Sequence, residues 1–284
     1  MEIAALSVLP IEEAARYSRT RFPVKIYLPL ALFICAAALA GGRPLEPINL
    51  TLAFALALSL LFQFRLWDDL GDRERDRLDF PERVLVRTTS VKFFQTLVFV
   101  AFLYNFALIG VLAGSSWQLK TIVFALLNGS FFMWYRWRFE LCRNEIGASH
   151  VVLGKYPIFI YLLSGESAAT SSVRLALAML LVYLCFCVYE LLHDAKLSRV
   201  PGALKLLAGE MTALCAVSAV MAITLTERGS AVAIVQAAIT VAGGLFLARL
   251  FLRSRAGLRT ELENYAVFVV GFFQALTFSL GGVP

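Results

Sequence analysis

The sequence predicts an all-α polytopic membrane bundle of about nine transmembrane helices, arranged as two related four-helix halves plus one. Three observations predict it. Of the 284 residues, 60% are hydrophobic and only 16% are charged, whereas an ordinary soluble domain carries about 25% charge. Mean hydropathy is +0.75. The apolar residues fall in long runs separated by short charged stretches, so lipid rather than water is the solvent for most of the chain.

Residues 1–25 carry Glu12, Glu13, Arg16, Arg19 and Arg21 in an amphipathic pattern. They read as a cytoplasmic surface segment, not a cleavable signal, because no small-residue cleavage site follows a short hydrophobic stretch. Residues 26–284 form the transmembrane domain. Its spans are expected at 26–40, 50–67, 92–113, 119–137, 151–165, 173–192, 203–226, 230–252 and 264–281. A helix crossing the bilayer needs about 17–20 mostly apolar residues. The first and fifth spans are short, and each contains a proline, Pro29 and Pro157. A bundle tolerates such a proline when neighbours satisfy the freed carbonyl. The fifth span is the one open to a partly re-entrant course.

The basic residues set the orientation. With the N-terminus inside, all but four of the 26 Lys and Arg residues fall in cytoplasmic segments, the exceptions being Arg43, Lys120, Arg174 and Arg228. That bias places the acidic helix ends described below on the cytoplasmic face of an inner or plasma membrane, and the uncharged C-terminus opposite. The net charge of +6 is therefore read as anchoring on an anionic membrane face and excludes nucleic acid as a partner. Cys35, Cys185, Cys187 and Cys215 lie in apolar runs and Cys142 does not. They read as small packing residues, with neither disulfide nor metal spacing.

A faint internal repeat joins the halves. Trp67-Asp68-Asp69-Leu70-Gly71-Asp72 closes the second span and Tyr189-Glu190-Leu191-Leu192-His193-Asp194 closes the sixth. The first motif continues through Arg73-Glu74-Arg75-Asp76-Arg77-Leu78-Asp79. On one continuous helix, Asp68, Asp69, Asp72, Asp76 and Asp79 share an arc of about 100°. Like charges four residues apart repel, so such a stack at a membrane boundary calls for a neutralising cation. Oxygen ligands suit Mg²⁺, which takes one or two carboxylates and completes its shell with water and substrate phosphates. Glu190 and Asp194 form a second pair on one helical face. Two such ends together suit a Mg²⁺–diphosphate site. The plainer explanation is that juxtamembrane charges are solvated anchors, and Asp69, Glu74 and Asp79 remain open between the two.

At these residues the sequence resembles the UbiA superfamily of intramembrane prenyltransferases, as a divergent member. Asp68, Asp72 and Asp76 match its first signature, N/D-x-x-x-D-x-x-x-D at the end of the second helix. Glu190 and Asp194 match its second, D-x-x-x-D after the sixth, with Glu in place of the first Asp. The resemblance implies Mg²⁺ held by Asp68, Asp72, Asp76, Glu190 and Asp194. It implies transfer of an isoprenyl group from a polyprenyl diphosphate to an aromatic or other lipophilic acceptor, with release of pyrophosphate. The isoprenyl tail would lie in a lateral tunnel within the bundle.

Further candidates follow from the same comparison. Arg83 resembles the family's arginine after the first motif, with Val84 replacing the usual proline, and Arg138 and Lys196 join it as diphosphate-binding residues. Each is equally explained by anchoring on the positive side of the membrane. Tyr135 resembles the fourth-helix tyrosine and offers a ring face to a carbocation, or else belongs to an interfacial aromatic belt. His193 is a candidate general base, or else a helix-terminus histidine stabilised by the dipole. Gln63 and Asn128 line a polar cavity or, more commonly for such residues, bond helix to helix. The alternatives are a terpene cyclase of the same scaffold, which needs no acceptor, and a transporter. A transporter usually carries ionisable residues near the bilayer midplane, and the expected spans are nearly free of them.

Overall fold

In the computed structural model the described residues are 10–42, 46–142, 144–165, 169–226, 231–258 and 260–281, and no strand occurs among them. The helices are α1 (Pro10–Arg21), α2 (Val24–Ala38), α3 (Pro47–Gly71), α4 (Arg73–Asp79), α5 (Val84–Arg87), α6 (Val91–Leu112), α7 (Trp117–Leu141), α8 (Glu145–Leu153), α9 (Lys155–Leu163), α10 (Ala169–His193), α11 (Ala203–Thr226), α12 (Ala231–Arg255) and α13 (Glu261–Leu280). Each of the nine expected spans falls on one of these helices or on the α8–α9 pair.

Seven stretches are long and apolar enough to cross a membrane: α2, α3, α6, the α8–α9 pair, α10, α11 and α12. The other two expected spans, α7 and α13, are 25 and 20 residues long. They are more polar, through Lys120, Asn128 and Arg136 in α7 and Glu263, Asn264 and Gln274 in α13. Both pack into the same bundle. In chain order α2, α3, α6, α7, α9, α10, α11, α12 and α13 each contact the next, and α13 closes the ring on α2. The ring pinches inward where α2 also touches α9 and α10. The core is mainly apolar, with Phe33, Phe64, Phe124, Phe159 and Phe278 fully buried.

The fifth span departs from the expected 151–165. Its helix begins at Glu145, because the Asn144 side chain caps it by accepting from the amides of Ile146 at 3.0 Å and Gly147 at 3.4 Å. Pro157 has no N–H for the Leu153 carbonyl, and the helix breaks at Gly154. There the Gly154 amide bonds back to His150 and Val151, each at 3.2 Å. The pair Glu145–Leu163 spans 19 residues and is long and apolar enough to cross. One consequence is that His150, just outside the expected 151–165, belongs to the span together with Lys155.

Polar side chains bond helix to helix inside the bundle. Gln63 on α3 donates to Asn128 on α7 at 2.6 Å and accepts from Asn105 on α6 at 2.7 Å. The second expectation for Gln63 and Asn128 therefore holds: they join helices. At the far end, Lys120 is buried and donates to the carbonyls of Leu162 and Ser164, which close α9. A cation there complements the negative end of the helix dipole.

Candidate functional site

The second span does not run on as a single acidic helix. At Asp72 the backbone (φ −90°, ψ −1°) turns the chain from α3 into the seven-residue α4. The expected common arc of five carboxylates is therefore broken, and Asp68, Asp69, Asp76 and Asp79 each engage a different partner.

Asp69 leaves the group altogether. It is buried beneath α1, where it accepts from the Tyr17 hydroxyl at 2.9 Å and from Arg21 Nε and Nη2 at 3.0 and 2.6 Å. Arg65 Nη2 lies 3.1 Å from the same carboxylate. Tyr17 packs edge-on against Phe62 and Phe94 and belongs to a small core with Leu66, Val84 and Leu85. Burial, and then the Asp69 charge, push the Tyr17 phenol well above its usual range, so it stays a donor to that carboxylate. Asp69 is thus the anchor that fastens α1 to the bundle.

Asp68, one helical step of about 100° away, faces different neighbours. Its Oδ2 pairs with Lys155 on α9, and its Oδ1 accepts from the Tyr135 hydroxyl on α7. The Lys155 side chain is only 5% exposed, and Phe131 and Tyr156 each present a ring 5.5 Å from its ammonium. Tyr135 is held flat against Gly71, where an added Cβ would stand 2.5 Å from its Cδ1. Phe131 and Trp67 flank the tyrosine at 5.9 and 6.2 Å between ring centroids.

Asp76 on α4 is buried and ion-paired to Arg83 at 2.5 Å, with the guanidinium lying 3.8 Å above the Phe80 ring. Arg73 holds the same loop from below, donating to the carbonyls of Leu85 at 2.7 Å and Thr88 at 3.3 Å. Asp79 at the end of α4 reaches across the molecule to Lys196, 2.7 Å away. The Lys196 ammonium holds this exposed carboxylate below its ordinary range.

The second acidic end lies beside the first. Glu190, near the end of α10, is within charge–charge reach of Asp194, Lys155, Arg65 and Asp68. Asp194 Oδ1 caps the turn after α10 by accepting from the amides of Lys196 at 2.6 Å and Leu197 at 3.3 Å. So Lys155 and Lys196 each tie the two halves together, one inside the bundle and one at its surface. His193 directly precedes Asp194 at the end of α10. It is exposed, stacks on Tyr189 at 5.0 Å and faces Tyr265 on α13. The Arg138 side chain lies outside the described residues.

An apolar cavity of about 720 Å³ opens between α7 and the α8–α9 pair, lined by Leu126, Leu127, Phe131, Trp134, Val152 and Ile158 among others, with Lys155 at its polar edge. Leu126, Met133 and Val151 on its rim are exposed. It is a lateral opening that faces the surroundings of the bundle.

Two solved structures superpose on almost the whole chain. One is described as digeranylgeranylglyceryl phosphate synthase in membranes, with TM-score 0.62 and 11% identity, covering 95% of this chain and 98% of the other. The second is a UbiA homologue from Aeropyrum pernix K1, also with TM-score 0.62, at 16% identity over 91% of this chain and 97% of the other. The chain has the UbiA fold. No protein-family profile and no curated protein sequence matches it.

Within the UbiA fold, three groups of residues at the site escaped the sequence. Lys155 was counted only as an anchor, although a lysine two residues before Pro157 in an apolar stretch is unusual enough to be a signal. Arg73 was one of several arginines in a charged run, and nothing in the sequence separates it from its neighbours. Two of the partners of Asp69, Arg21 and Tyr17, are 48 and 52 residues away from it and carried no local signal.

Proposed function

We propose that the chain transfers an isoprenyl group within the membrane, from an isoprenyl diphosphate to a lipophilic acceptor, releasing pyrophosphate. The observation that carries this is the meeting of two acidic helix ends, from different halves of the bundle, beside a lateral apolar cavity with a lysine at its edge. The isoprenyl chain fits the cavity between α7 and α8–α9, and its diphosphate would lie at the Lys155 edge, among the acids.

The donor set suits Mg²⁺, since the ligating side chains present are carboxylates and a hard cation takes oxygen. Asp72, Asp76, Glu190 and Asp194 are the residues to hold it. The Arg83 pair is made at Oδ1 of Asp76, and the backbone bonds to Asp194 are made at its Oδ1. Asp68 fits less well, because a metal would displace Lys155 or Tyr135 from it. When bound, Mg²⁺ neutralises the diphosphate and makes it a better leaving group.

The remaining work falls to the chain itself. Lys155, Arg83 and Lys196 are placed to bind phosphate oxygens. In the structure each is paired with a carboxylate, and a diphosphate would compete for it as a better-charged partner. The carbon–oxygen bond of the allylic diphosphate breaks with the electron pair leaving on the phosphate oxygen. The Tyr135, Trp67 and Phe131 rings line the way from there to the cavity, exclude water and stabilise positive charge through their faces. As the new bond to the acceptor forms, the acceptor loses a proton, which the released pyrophosphate or His193, exposed beside Asp194 and stacked on Tyr189, would take.

The test is pyrophosphate release by the purified protein in lipid nanodiscs with Mg²⁺ and allylic diphosphates, with and without candidate aromatic acceptors. Release that requires an acceptor supports transfer. Release with a hydrocarbon or alcohol product and no acceptor moves the assignment to a cyclase. No release from any allylic diphosphate, or full activity of both Asp72→Ala and Asp194→Ala, overturns the proposal.

A further inference from the structure

A second cluster of chemistry lies inside the bundle, about one turn of α10 before Glu190. His150 on α8, Cys187 on α10 and Glu210 on α11 bring one ring nitrogen, one sulfur and one carboxylate oxygen within 4.8 Å of one another. Cys187 is 1% exposed and Glu210 is 7% exposed. A carboxylate buried in an apolar bundle is expensive and marks a function by default. His150 Nε2 approaches Glu210 Oε1 at 2.5 Å. The other carboxylate oxygen, Oε2, is buried with no hydrogen-bond partner among the described residues.

The ring is already oriented as a ligand. His150 Nδ1 lies 2.7 Å from the backbone oxygen of Ile146. A carbonyl only accepts, so Nδ1 carries the proton and Nε2 is left for a cation. This is the arrangement in which metal-bound histidines are usually held. The short contact between Nε2 and Oε1 needs one proton between them, and Cys187 carries another as a thiol.

We propose that His150, Cys187 and Glu210 form a divalent metal site, best suited to Zn²⁺, that joins α8 to α10 and α11. The donor set decides the metal: one imidazole, one thiolate and one carboxylate suit a borderline-soft ion, and three protein ligands leave a fourth tetrahedral position for water. The charges balance. Two protons leave, from Cys187 and from the His150–Glu210 pair, and one thiolate and one carboxylate neutralise the two positive charges of the ion. A neutral site is tolerable in an apolar bundle where a lone carboxylate is not. Tetrahedral bonds of about 2.0–2.3 Å would set the ligand atoms about 3.3–3.6 Å apart. That asks His150 and Glu210 to separate slightly and the widest pair in the cluster to close by about 1 Å. Lys155 follows His150 by little more than one turn, so the ion would also fix the segment that carries the lysine bonded to Asp68. The site is independent of the prenyl-transfer reading.

The full-length protein, stripped with a chelator in detergent, is titrated with Co²⁺ and separately with Zn²⁺. Co²⁺ is expected to give tetrahedral ligand-field bands and a thiolate charge-transfer band. Zn²⁺ is expected to remain at about one ion per chain after desalting, with release of two protons to the buffer. Cys187→Ala should lose the charge-transfer band, and Glu210→Gln and His150→Ala should lose the ion, whereas Cys185→Ala keeps it. The wild-type spectrum stands even if a variant fails to fold. Wild-type protein that takes up no ion, or a Co²⁺ spectrum without thiolate absorption, would show a plain buried His–Glu pair and overturn the proposal.

Discussion

Replacing Asp69 by alanine separates two roles that the sequence left merged, metal ligand and structural anchor. In the structure this carboxylate accepts one bond from Tyr17 and two from Arg21, and lies 3.1 Å from Arg65. Removing one partner from a buried ionic network costs about 3–5 kcal/mol. The Arg21 and Arg65 side chains keep 22% and 31% exposure, so water recovers part of the loss and the lower end applies, about 3 kcal/mol. At about 1.4 kcal/mol per decade, that is roughly a hundredfold shift in the opening equilibrium of whatever Asp69 holds down. It holds down α1. Hydrogen–deuterium exchange of the peptide covering residues 10–21, in nanodiscs, should therefore quicken by about two orders of magnitude, while Mg²⁺-dependent pyrophosphate release falls only severalfold. Unchanged protection of α1 together with abolished release would refute the reasoning and return Asp69 to the metal.

Four further outcomes follow from named contacts. Gly71→Ala places a methyl group 2.5 Å from the Tyr135 ring; it should cost about 1–3 kcal/mol by thermal unfolding and lower kcat more than KM, by moving Tyr135 off Asp68. Lys155→Met, which keeps the length and loses the charge, should weaken binding of a non-reactive isoprenyl thiodiphosphate at least tenfold and leave the Asp68 carboxylate without its cation. Gln63→Leu strands Asn105 and Asn128 and should destabilise by about 1–2 kcal/mol, read as a lower unfolding temperature with unchanged ligand affinity. The Asp79–Lys196 link is a pH-dependent tie: a carboxylate depressed by its partner stabilises above its unfolded value, about pH 4, and that contribution is lost as pH falls through the lower folded value. Spin labels at residues 82 and 199 should therefore hold a constant separation down through the ordinary carboxylate range, about pH 4, and move apart only below it, and Lys196→Met should abolish the change.

The bundle was legible because lipid imposes one requirement on every crossing segment, an unbroken apolar run. All nine expected spans lie on helices. The errors fell where a cap overruled that pattern. Asn144 starts the fifth helix six residues before the expected apolar run, which brings His150 into the span beside Glu210. The acids were legible as a group and not as individuals. Angular arithmetic assumes one helix, and Asp72 ends it. Once α4 turns away, Asp69 and Asp68 face different neighbours despite being adjacent, and only tertiary contacts from α1, α7 and α9 decide which is which. Cys187 shows the same limit: as sequence it is a small apolar residue in an apolar run, and its two companions arrive from 37 residues before and 23 after.

The account depends most on Asp72 and Asp194 gripping one diphosphate from two sides. A double-mutant cycle measures that directly: affinity of an isoprenyl thiodiphosphate in saturating Mg²⁺ for wild type, Asp72→Asn, Asp194→Asn and the pair. Shared engagement predicts that the double variant loses less than the two single losses added together, with a coupling of at least about 1 kcal/mol. Strict additivity, or binding indifferent to Mg²⁺, would mean that the two helix ends do not act on the same ligand.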